Sequence, residues 1–130
     1  MIVADASAVV DLLLGGEPAA AVARRLLDSA ETVHVPHLLD VEVLQALRRY
    51  ALSGELDAER GMQAVALLAE LPLRRHRHDN LIPRVWDLRS SISAYDAVYI
   101  ALAEVLRAPL VTRDFRLARA HGHAARIELL

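Results

Sequence analysis

The sequence predicts an α/β fold in which a parallel sheet is flanked by helices. Short apolar runs alternate with longer helical stretches along the whole chain, which is typical of βαβ units. The length of 130 residues suits one domain with one hydrophobic core. No repeat, low-complexity run or linker interrupts the pattern, so a single domain over residues 1–130 is expected.

The first half of the chain contains two predicted strands and three predicted helices. Glycine and proline mark their ends, because glycine stops helices and proline is tolerated in a first turn. The predicted elements are a buried strand over 1–4, a helix stopped after Leu14 by Gly15-Gly16, a helix from Glu17-Pro18 to about Ser29, a strand over 32–35 closed by Pro36, and a largely buried helix over Leu38–Leu52.

The second half continues the alternation, with helices longer than strands. Asp57 and Ser93 stand where a helix cap is expected, because their side chains can accept the first unpaired amide hydrogens. The predicted elements are a helix from Asp57 to about Leu71, a short edge strand over 73–77, a helix over 80–88 with Pro83 in its first turn, a helix from Ser93 to near Arg107, a strand over 110–112, a helix over 115–121 and a last strand over 126–129.

Composition excludes several classes of protein. The chain has no cysteine, so it has no disulfide, thiol nucleophile or thiolate zinc site. All 15 basic residues are arginine, and without lysine neither a P-loop ATPase nor a Schiff-base enzyme is expected. The longest apolar run, 97–103, is too short to cross a bilayer, and an acid follows the first strand at once. We therefore expect no secretory signal, no membrane contact and a cytoplasmic location.

Four acidic residues stand in apolar surroundings: Asp5, Glu42, Asp96 and Asp114. Burying a carboxylate costs several kcal/mol unless it is paired or bound to metal. Each has an ordinary explanation when taken alone. Asp5 and Asp114 can cap the helices that follow them, Asp96 can form a capping box, and Glu42 can pair with an arginine.

Taken together, the same four acids indicate a site. In an open parallel sheet, sites form beyond the carboxyl ends of the strands, where Asp5 and Asp114 fall. Glu42 and Asp96 lie in first turns of helices that can point to the same edge. Oxygen ligands without cysteine favour Mg²⁺ or Mn²⁺, and a carboxylate-held ion pair supports in-line attack on phosphodiesters.

The charge distribution is compatible with a phosphate-bearing substrate. The formal net charge is −2, from 17 acids and 15 arginines. Without the four acids, 13 acids face 15 arginines, a balance of +2. Arg113 and Arg116 flank a candidate metal ligand and are the arginines expected to contact phosphate.

The ordered set of motifs resembles the PIN-domain ribonucleases, and more narrowly the VapC toxins of bacterial toxin–antitoxin pairs. The resemblance covers the whole chain. It rests on Asp5-Ala-Ser7 after the first strand, Pro36 to Glu42, Ser93 to Tyr99, and Val111 to Asp114.

The resemblance implies a three-layer fold with a central parallel sheet of about five strands. It implies that Asp5, Glu42 and Asp96 are the core acids and Asp114 a more variable fourth, together holding one or two Mg²⁺ or Mn²⁺ ions for metal-assisted RNA hydrolysis. Ser7 and Thr112 match supporting hydroxyl positions.

Two positions depart from the pattern of many VapC toxins. Gln45 replaces a frequent asparagine and is expected to have a modest effect on substrate contacts. Arg113 replaces a smaller residue, and two outcomes are open: it adds a phosphate contact, or it pairs with Asp114.

The resemblance also implies partners. VapC-like toxins form homodimers, bind a VapB-like antitoxin whose tail enters the active-site groove, and cut structured RNA such as tRNA or ribosomal RNA. A dimer face is expected in the later apolar helices, including Tyr99. The apolar helices over 19–27 and 41–52 are candidates for the antitoxin groove.

Two other readings remain open. One is a non-catalytic PIN-like module that binds RNA or antitoxin, although pure binding does not require convergent carboxylates. The other is a phosphohydrolase with Asp5 as nucleophile, which would need a second aspartate where Ser7 stands, and a lysine.

The His76-x-His78 and His121-x-His123 pairs resemble metal-ligand spacing but have no acid cluster beside them. The five aromatic residues form no evident base-stacking platform.

Overall fold

The computed structural model describes residues 1–28 and 30–130 and contains one five-stranded parallel sheet. The strand order is β3-β2-β1-β4-β5, so the predicted α/β class and parallel sheet are confirmed. The edge position predicted for the third strand is also observed. The strands are β1 Ile2–Ala4, β2 Val33–Pro36, β3 Leu73–His76, β4 Leu110–Thr112 and β5 Ile127–Leu129.

Helices cover the sheet in two layers. The connections from β1 to β2 and from β2 to β3 run one way across the sheet, and the connection from β3 to β4 runs back the other way. Right-handed crossovers therefore place α1–α4 on one face and α5 and α6 on the other. The helices are α1 Ala6–Leu14, α2 Glu17–Leu26, α3 Leu38–Leu52, α4 Ala58–Glu70, α5 Ile82–Asp87, α6 Ala94–Leu106 and α7 Phe115–Ala118.

The core lies on both faces of the central strands. All three residues of β1 and all three of β4 are buried, as expected for a parallel sheet covered on both sides. Val9 of α1, Leu39 of α3 and Ile100 of α6 are fully buried against this sheet and its helical layers. Apolar residues on α1, α3 and α6 thus fix these three helices, which carry or flank the candidate site.

Three predicted helix boundaries are wrong, each for a local reason. The second helix ends at Leu26, where the Asp28 side chain accepts the Ala30 amide and turns the chain; Ser29, its predicted end, lies outside the described residues. Residues Asp79–Leu81 form a 3-10 turn, and α5 begins at Ile82, which puts Pro83 in its first turn. The helix predicted over 115–121 is a single turn.

The strand order creates a switch point between β1 and β4. From β1 the chain moves to β2 on one side, whereas β4 lies on the other side of β1. The helices that follow β1 and β4 leave from neighbouring carboxyl ends, and such a crevice is where open α/β sheets bind ligands. Asp5 and Asp114 follow these two strands.

Among the residues that the structure describes, no single helix is both long and apolar enough to cross a membrane. The bent pair of α1 and α2 meets the length and composition criteria only when the two helices are taken together.

Candidate active site

Asp5 is a buried carboxylate held by three donors. It caps α1 through Oδ1, which accepts the Ala8 amide at 3.1 Å and the Ser7 hydroxyl at 2.7 Å. Oδ2 accepts the Thr112 hydroxyl at 2.7 Å. The helix cap expected from the sequence is therefore present, and so is a hydrogen bond from Thr112 of β4 to Asp5. Together they fix the orientation of the Asp5 carboxylate.

The Thr112 hydroxyl connects two of the acids. Thr112 is fully buried at the end of β4. Its hydroxyl donates to Asp5 and accepts the Asp114 amide at 2.9 Å. Asp114 in turn caps α7 by accepting the Arg116 amide at 2.7 Å. One buried hydroxyl thus links the carboxylate after β1 to the backbone of the acid after β4.

Glu42 is held by a tyrosine from the other helical layer. Its Oε2 accepts the Tyr99 hydroxyl at 2.5 Å, across 57 positions of sequence. The arginine partner suggested by the sequence is not the one observed. Tyr99 is only 2% exposed. The prediction that Tyr99 belongs to a dimer face is therefore wrong, because its side chain is buried inside the protein and its hydroxyl orients Glu42.

Asp96 lies in the first turn of α6, as predicted. The Ser93 hydroxyl caps that helix by accepting the Asp96 amide at 3.2 Å. Tyr99 is three residues further along, so it lies one turn away on the same side of α6. The helix therefore delivers both Asp96 and the partner of Glu42 to one side.

The carboxylates influence one another. Burial raises the pKa of the Asp5, Glu42 and Asp96 carboxyl groups above their usual range. Neighbouring negative charge raises these pKa values further: Asp114 acts on Asp5 and Asp96, while Asp96 and Asp5 act on Glu42. Each of these three pKa values therefore depends on the charge of at least one other of the four acids.

A groove with a volume of about 780 Å³ opens beside Glu42. The first turns of α1 and the exposed side of α3 form its walls. Two helices were candidates for a groove. The helix predicted over 41–52 does border this one. In the helix predicted over 19–27, Val22 and Leu26 are buried in the core instead. Side chains lining the groove include Ser7, Asp11, Val41, Glu42, Gln45, Arg49, Tyr50, Tyr95 and Arg113.

The two arginines beside Asp114 have different surroundings. The Arg113 Nε donates to Asp11 Oδ2 at 2.9 Å, and its Nη1 donates to the Leu130 carbonyl. Its acidic partner is therefore Asp11, not Asp114. Arg116 has a side chain that is 94% exposed, with its Nε 3.8 Å from Asp114 Oδ1. Of the two guanidinium groups, that of Arg116 is the more available to a ligand.

The family model described as PIN domain matches residues 2–122. Ribonuclease VapC12 of Mycobacterium tuberculosis is 45% identical over 130 residues, covering 100% of this chain and 99% of that protein. This chain belongs to the PIN-domain family.

Solved structures share the PIN-domain fold. The crystal structure of VapC20 from Mycobacterium tuberculosis, described as a sarcin-ricin loop cleaving toxin, has a TM-score of 0.72 at 16% identity, covering 95% of this chain and 97% of that chain. VapBC2 from Rickettsia felis, bound to a DNA fragment from its promoter, gives 0.72 at 14% identity, with 99% and 98% covered. The three-layer PIN-domain architecture implied by the sequence resemblance is thus confirmed.

Two members of this PIN-domain site escaped sequence reasoning. Tyr99 has a detectable signal, since it stands three residues after Asp96 on an apolar helix and its hydroxyl needs a buried partner. Asp11, which binds Arg113, has none, because the 102 positions between them say nothing about their contact.

Metal-ligand geometry completes the description of this PIN-domain site. Among residues 1–28 and 30–130, no three acidic or histidine side chains are gathered closely enough to hold one ion as they stand. The His76 ring is engaged by His34, with Nε2 and Nδ1 2.8 Å apart. What this site offers a metal ion is therefore its carboxylate oxygen atoms, which are not gathered around one point in this structure.

Proposed function

We propose that this chain is a metal-dependent endoribonuclease and the toxin of a VapBC-type pair. One observation carries the proposal. Asp5 and Asp114 follow neighbouring strands at the switch point of a PIN-domain sheet and are joined through the Thr112 hydroxyl. Glu42 lines the adjoining groove, and its partner Tyr99 lies one turn after Asp96 on α6. The ribonuclease names of relatives that match over the full chain support the same activity.

The four carboxylates fit a divalent cation in their chemistry. They are hard oxygen donors, and burial raises the pKa of Asp5, Glu42 and Asp96, so a bound cation would offset the cost of keeping those three ionised. Mg²⁺ is commonly held by one or two protein carboxylates with water and substrate phosphate completing the shell, so three gathered ligands are not required. We assign Asp5, Glu42, Asp96 and Asp114 as ligands of one or two Mg²⁺ or Mn²⁺ ions.

The bound ion would activate water and offset charge on the phosphate. The protein holds the carboxylate ligands in position. Ser7 and Thr112 hold the Asp5 carboxylate by donating to opposite oxygens. Tyr99 holds Glu42. No histidine is required as a base in this scheme. A site built this way holds its acids in place before RNA arrives, which lowers the cost of ordering them.

Substrate contacts are assigned by exposure. Arg116 is the first candidate for a phosphate contact because its guanidinium is exposed at the rim of the acids. Gln45 lines the groove and offers an amide to a base or ribose. Arg113 also lines the groove and is a candidate for a phosphate contact. Its hydrogen bonds to Asp11 and Leu130 in addition connect α1 to the end of the chain.

The proposed partners follow from the VapC relationship. A VapB-like antitoxin would compete with RNA for the groove beside Glu42, where exposed Val41 supplies apolar surface. The RNA would be a structured one such as tRNA or ribosomal RNA. A homodimer and a cytoplasmic location, where translated and ribosomal RNA are found, complete the proposal.

A non-catalytic binding module is the alternative. It is disfavoured because convergent acids with raised pKa values cost stability and would repel RNA phosphates. Binding alone would not require all four of them. Metal-dependent cleavage separates the two functions.

Total cellular RNA incubated with the purified, antitoxin-free chain tests the proposal. We expect discrete fragments with Mg²⁺ or Mn²⁺, none with EDTA, and none from the Asp5→Asn variant, because each change removes cation binding. Fragments would be mapped by sequencing their ends. Folded protein that yields no fragments with either metal would support the binding module instead, and fragments that survive both EDTA and the substitution would indicate a contaminating nuclease.

Metal binding should also appear as a rise in Tm that depends on pH. A cation at 100 times its Kd stabilises a protein by about 2.7 kcal/mol, which is roughly 8 °C for a chain of this size. Protons compete for the same carboxylates, and the pKa values of Asp5, Glu42 and Asp96 are raised. The rise should therefore shrink as pH falls from about 7.5 to about 5.5.

The stability of the metal-free protein should fall as pH rises, which is opposite to the pH dependence of the metal-induced rise in Tm. Acids whose pKa is raised in the folded state bind protons more readily folded than unfolded, so their ionisation destabilises the protein as pH rises through those pKa values. Differential scanning fluorimetry with Asp96→Asn as the matched variant checks both effects. A Tm increase that is equal in the variant, or equal at both pH values, would place the cation elsewhere.

A further inference from the structure

Three exposed aromatic side chains lie at or next to the candidate site. Of the five aromatic residues, Tyr99 is buried and Trp86 lies on α5 with the Arg89 guanidinium 4.7 Å from its ring centroid. Tyr50 and Tyr95 line the groove that contains Glu42, and Phe115 follows Asp114 directly. The small number of aromatic residues predicts no base-stacking platform, whereas the fold places two of them in one groove.

Tyr95 and Phe115 are exposed, and each stands next to one of the acids in the chain. Tyr95 is 63% exposed and precedes Asp96, and Phe115 is 66% exposed and follows Asp114. The Thr112 hydroxyl joins the Asp114 amide to the Asp5 carboxylate, so Phe115 directly follows a residue that is hydrogen-bonded into the site. Neither ring is needed to fill the core.

Arginines accompany two of the three exposed rings. Arg49 precedes Tyr50 and lines the same groove, and Arg116 follows Phe115 with its side chain almost fully exposed. Aromatic rings interleaved with arginines are the means by which proteins bind single-stranded nucleic acid, since every base has a face that stacks and every phosphate has a charge. An apolar peptide would gain nothing from the arginines.

We propose that Tyr95 and Phe115 stack on the unpaired bases that flank the cleaved phosphate. This inference rests on the ribonuclease function proposed above and names its specificity-determining side chains. Tyr95 receives a base inside the groove, and Phe115 receives one next to Asp114. The substrate at this point is unstacked and single-stranded, because bases in a duplex have no free face.

Binding to uncut RNA tests the proposal without relying on cleavage. In an Asp5→Asn background with Mg²⁺ present, the affinity for a labelled single-stranded adenosine oligonucleotide is measured by fluorescence anisotropy. Tyr95→Ala and Phe115→Ala should each weaken binding about 5- to 150-fold, the range seen when one base loses its aromatic partner. Tyr95→Phe and Phe115→Tyr keep the ring and should keep the affinity. Trp86→Ala removes an exposed aromatic side chain of another surface and should change nothing.

A thermodynamic cycle separates stacking from general damage. The same variants are measured on an oligonucleotide with abasic nucleotides, where no base is left to stack. The effect of each alanine substitution should fall to less than about twofold there. Equal losses on both oligonucleotides, or losses with the ring-keeping variants, would overturn the stacking assignment.

Failure of the stacking proposal and failure of the ribonuclease function look different. If the parent variant binds the oligonucleotide and the alanine variants bind equally well, stacking is wrong and the nuclease proposal stands. If the parent variant binds no RNA, both fail. If the alanine substitutions weaken binding of a cognate antitoxin but not of RNA, the rings belong to a protein interface, which also overturns the proposal.

Discussion

Replacing Asp96 by asparagine is expected to abolish RNA cleavage and to leave the fold intact. The substitution removes one ligand of the proposed cation and preserves the backbone amide that Ser93 caps. The rate should fall at least about 100-fold, because several kcal/mol of charge stabilisation is lost and each 1.36 kcal/mol is tenfold.

The same substitution should not lower the stability of the metal-free protein. Burial and the charge of Asp114 raise the pKa of Asp96, so its ionised form costs folding free energy at neutral pH. Urea unfolding at neutral pH is expected to give a midpoint equal to or above that of the unsubstituted chain. Cleavage and unfolding measured together distinguish a ligand from a structural acid.

Asp87 provides the matched control for this experiment. It is an exposed acid on α5, so Asp87→Asn removes the same charge away from the groove and should leave cleavage unchanged. An Asp96→Asn protein that unfolds would show that the acid is structural. One that still cuts RNA at the original rate would remove Asp96 from the catalytic set.

Thr112→Val is expected to damage both stability and cleavage although it preserves side-chain volume. The fully buried hydroxyl donates to Asp5 and accepts from the Asp114 amide. Its loss leaves a buried amide without that acceptor and a carboxylate without one donor, which costs about 1–3 kcal/mol of unfolding free energy. Removing that donor also raises the pKa of Asp5 further, so the acidic limb of the pH–rate profile should move to higher pH.

Thr112→Ser is the informative comparison. Serine keeps the hydroxyl and loses only a methyl group, so it should restore most of the cleavage and the original pH profile while losing some stability to a small cavity. Chemical unfolding and single-turnover cleavage at several pH values measure the two effects separately. A valine variant with wild-type stability and pH profile would mean that this hydroxyl does not support the acids.

Local sequence signals predicted the acids because caps are short-range structures. The contacts that cap α1, α6 and α7 join residues two or three positions apart, at Asp5, Ser93 and Asp114. For Asp5 and Asp114 the capping role expected from the sequence is therefore observed, and it is compatible with the ligand role proposed for them. A capping residue stands at the start of its helix, and parallel strands deliver those starts to one edge of the sheet.

Predictions that depended on distant contacts were less successful. The apolar character of its helix predicts a dimer face at Tyr99, and only the folded structure shows that its hydroxyl binds Glu42. Arg113 had two expected partners, phosphate or Asp114, and its observed acidic partner is Asp11. Charge pairing over such separations depends on which helices become neighbours.

The sequence alone determined the fold class, most of the strands and helices, and the identity of the four acids, because apolar periodicity and helix caps are encoded within a few residues. Only the tertiary structure decided the partners of Glu42 and Arg113, the groove, and the exposure of Tyr95 and Phe115 beside the acids. These features depend on the strand order β3-β2-β1-β4-β5. That order places the ends of β1 and β4 side by side and so brings together residues more than 100 positions apart.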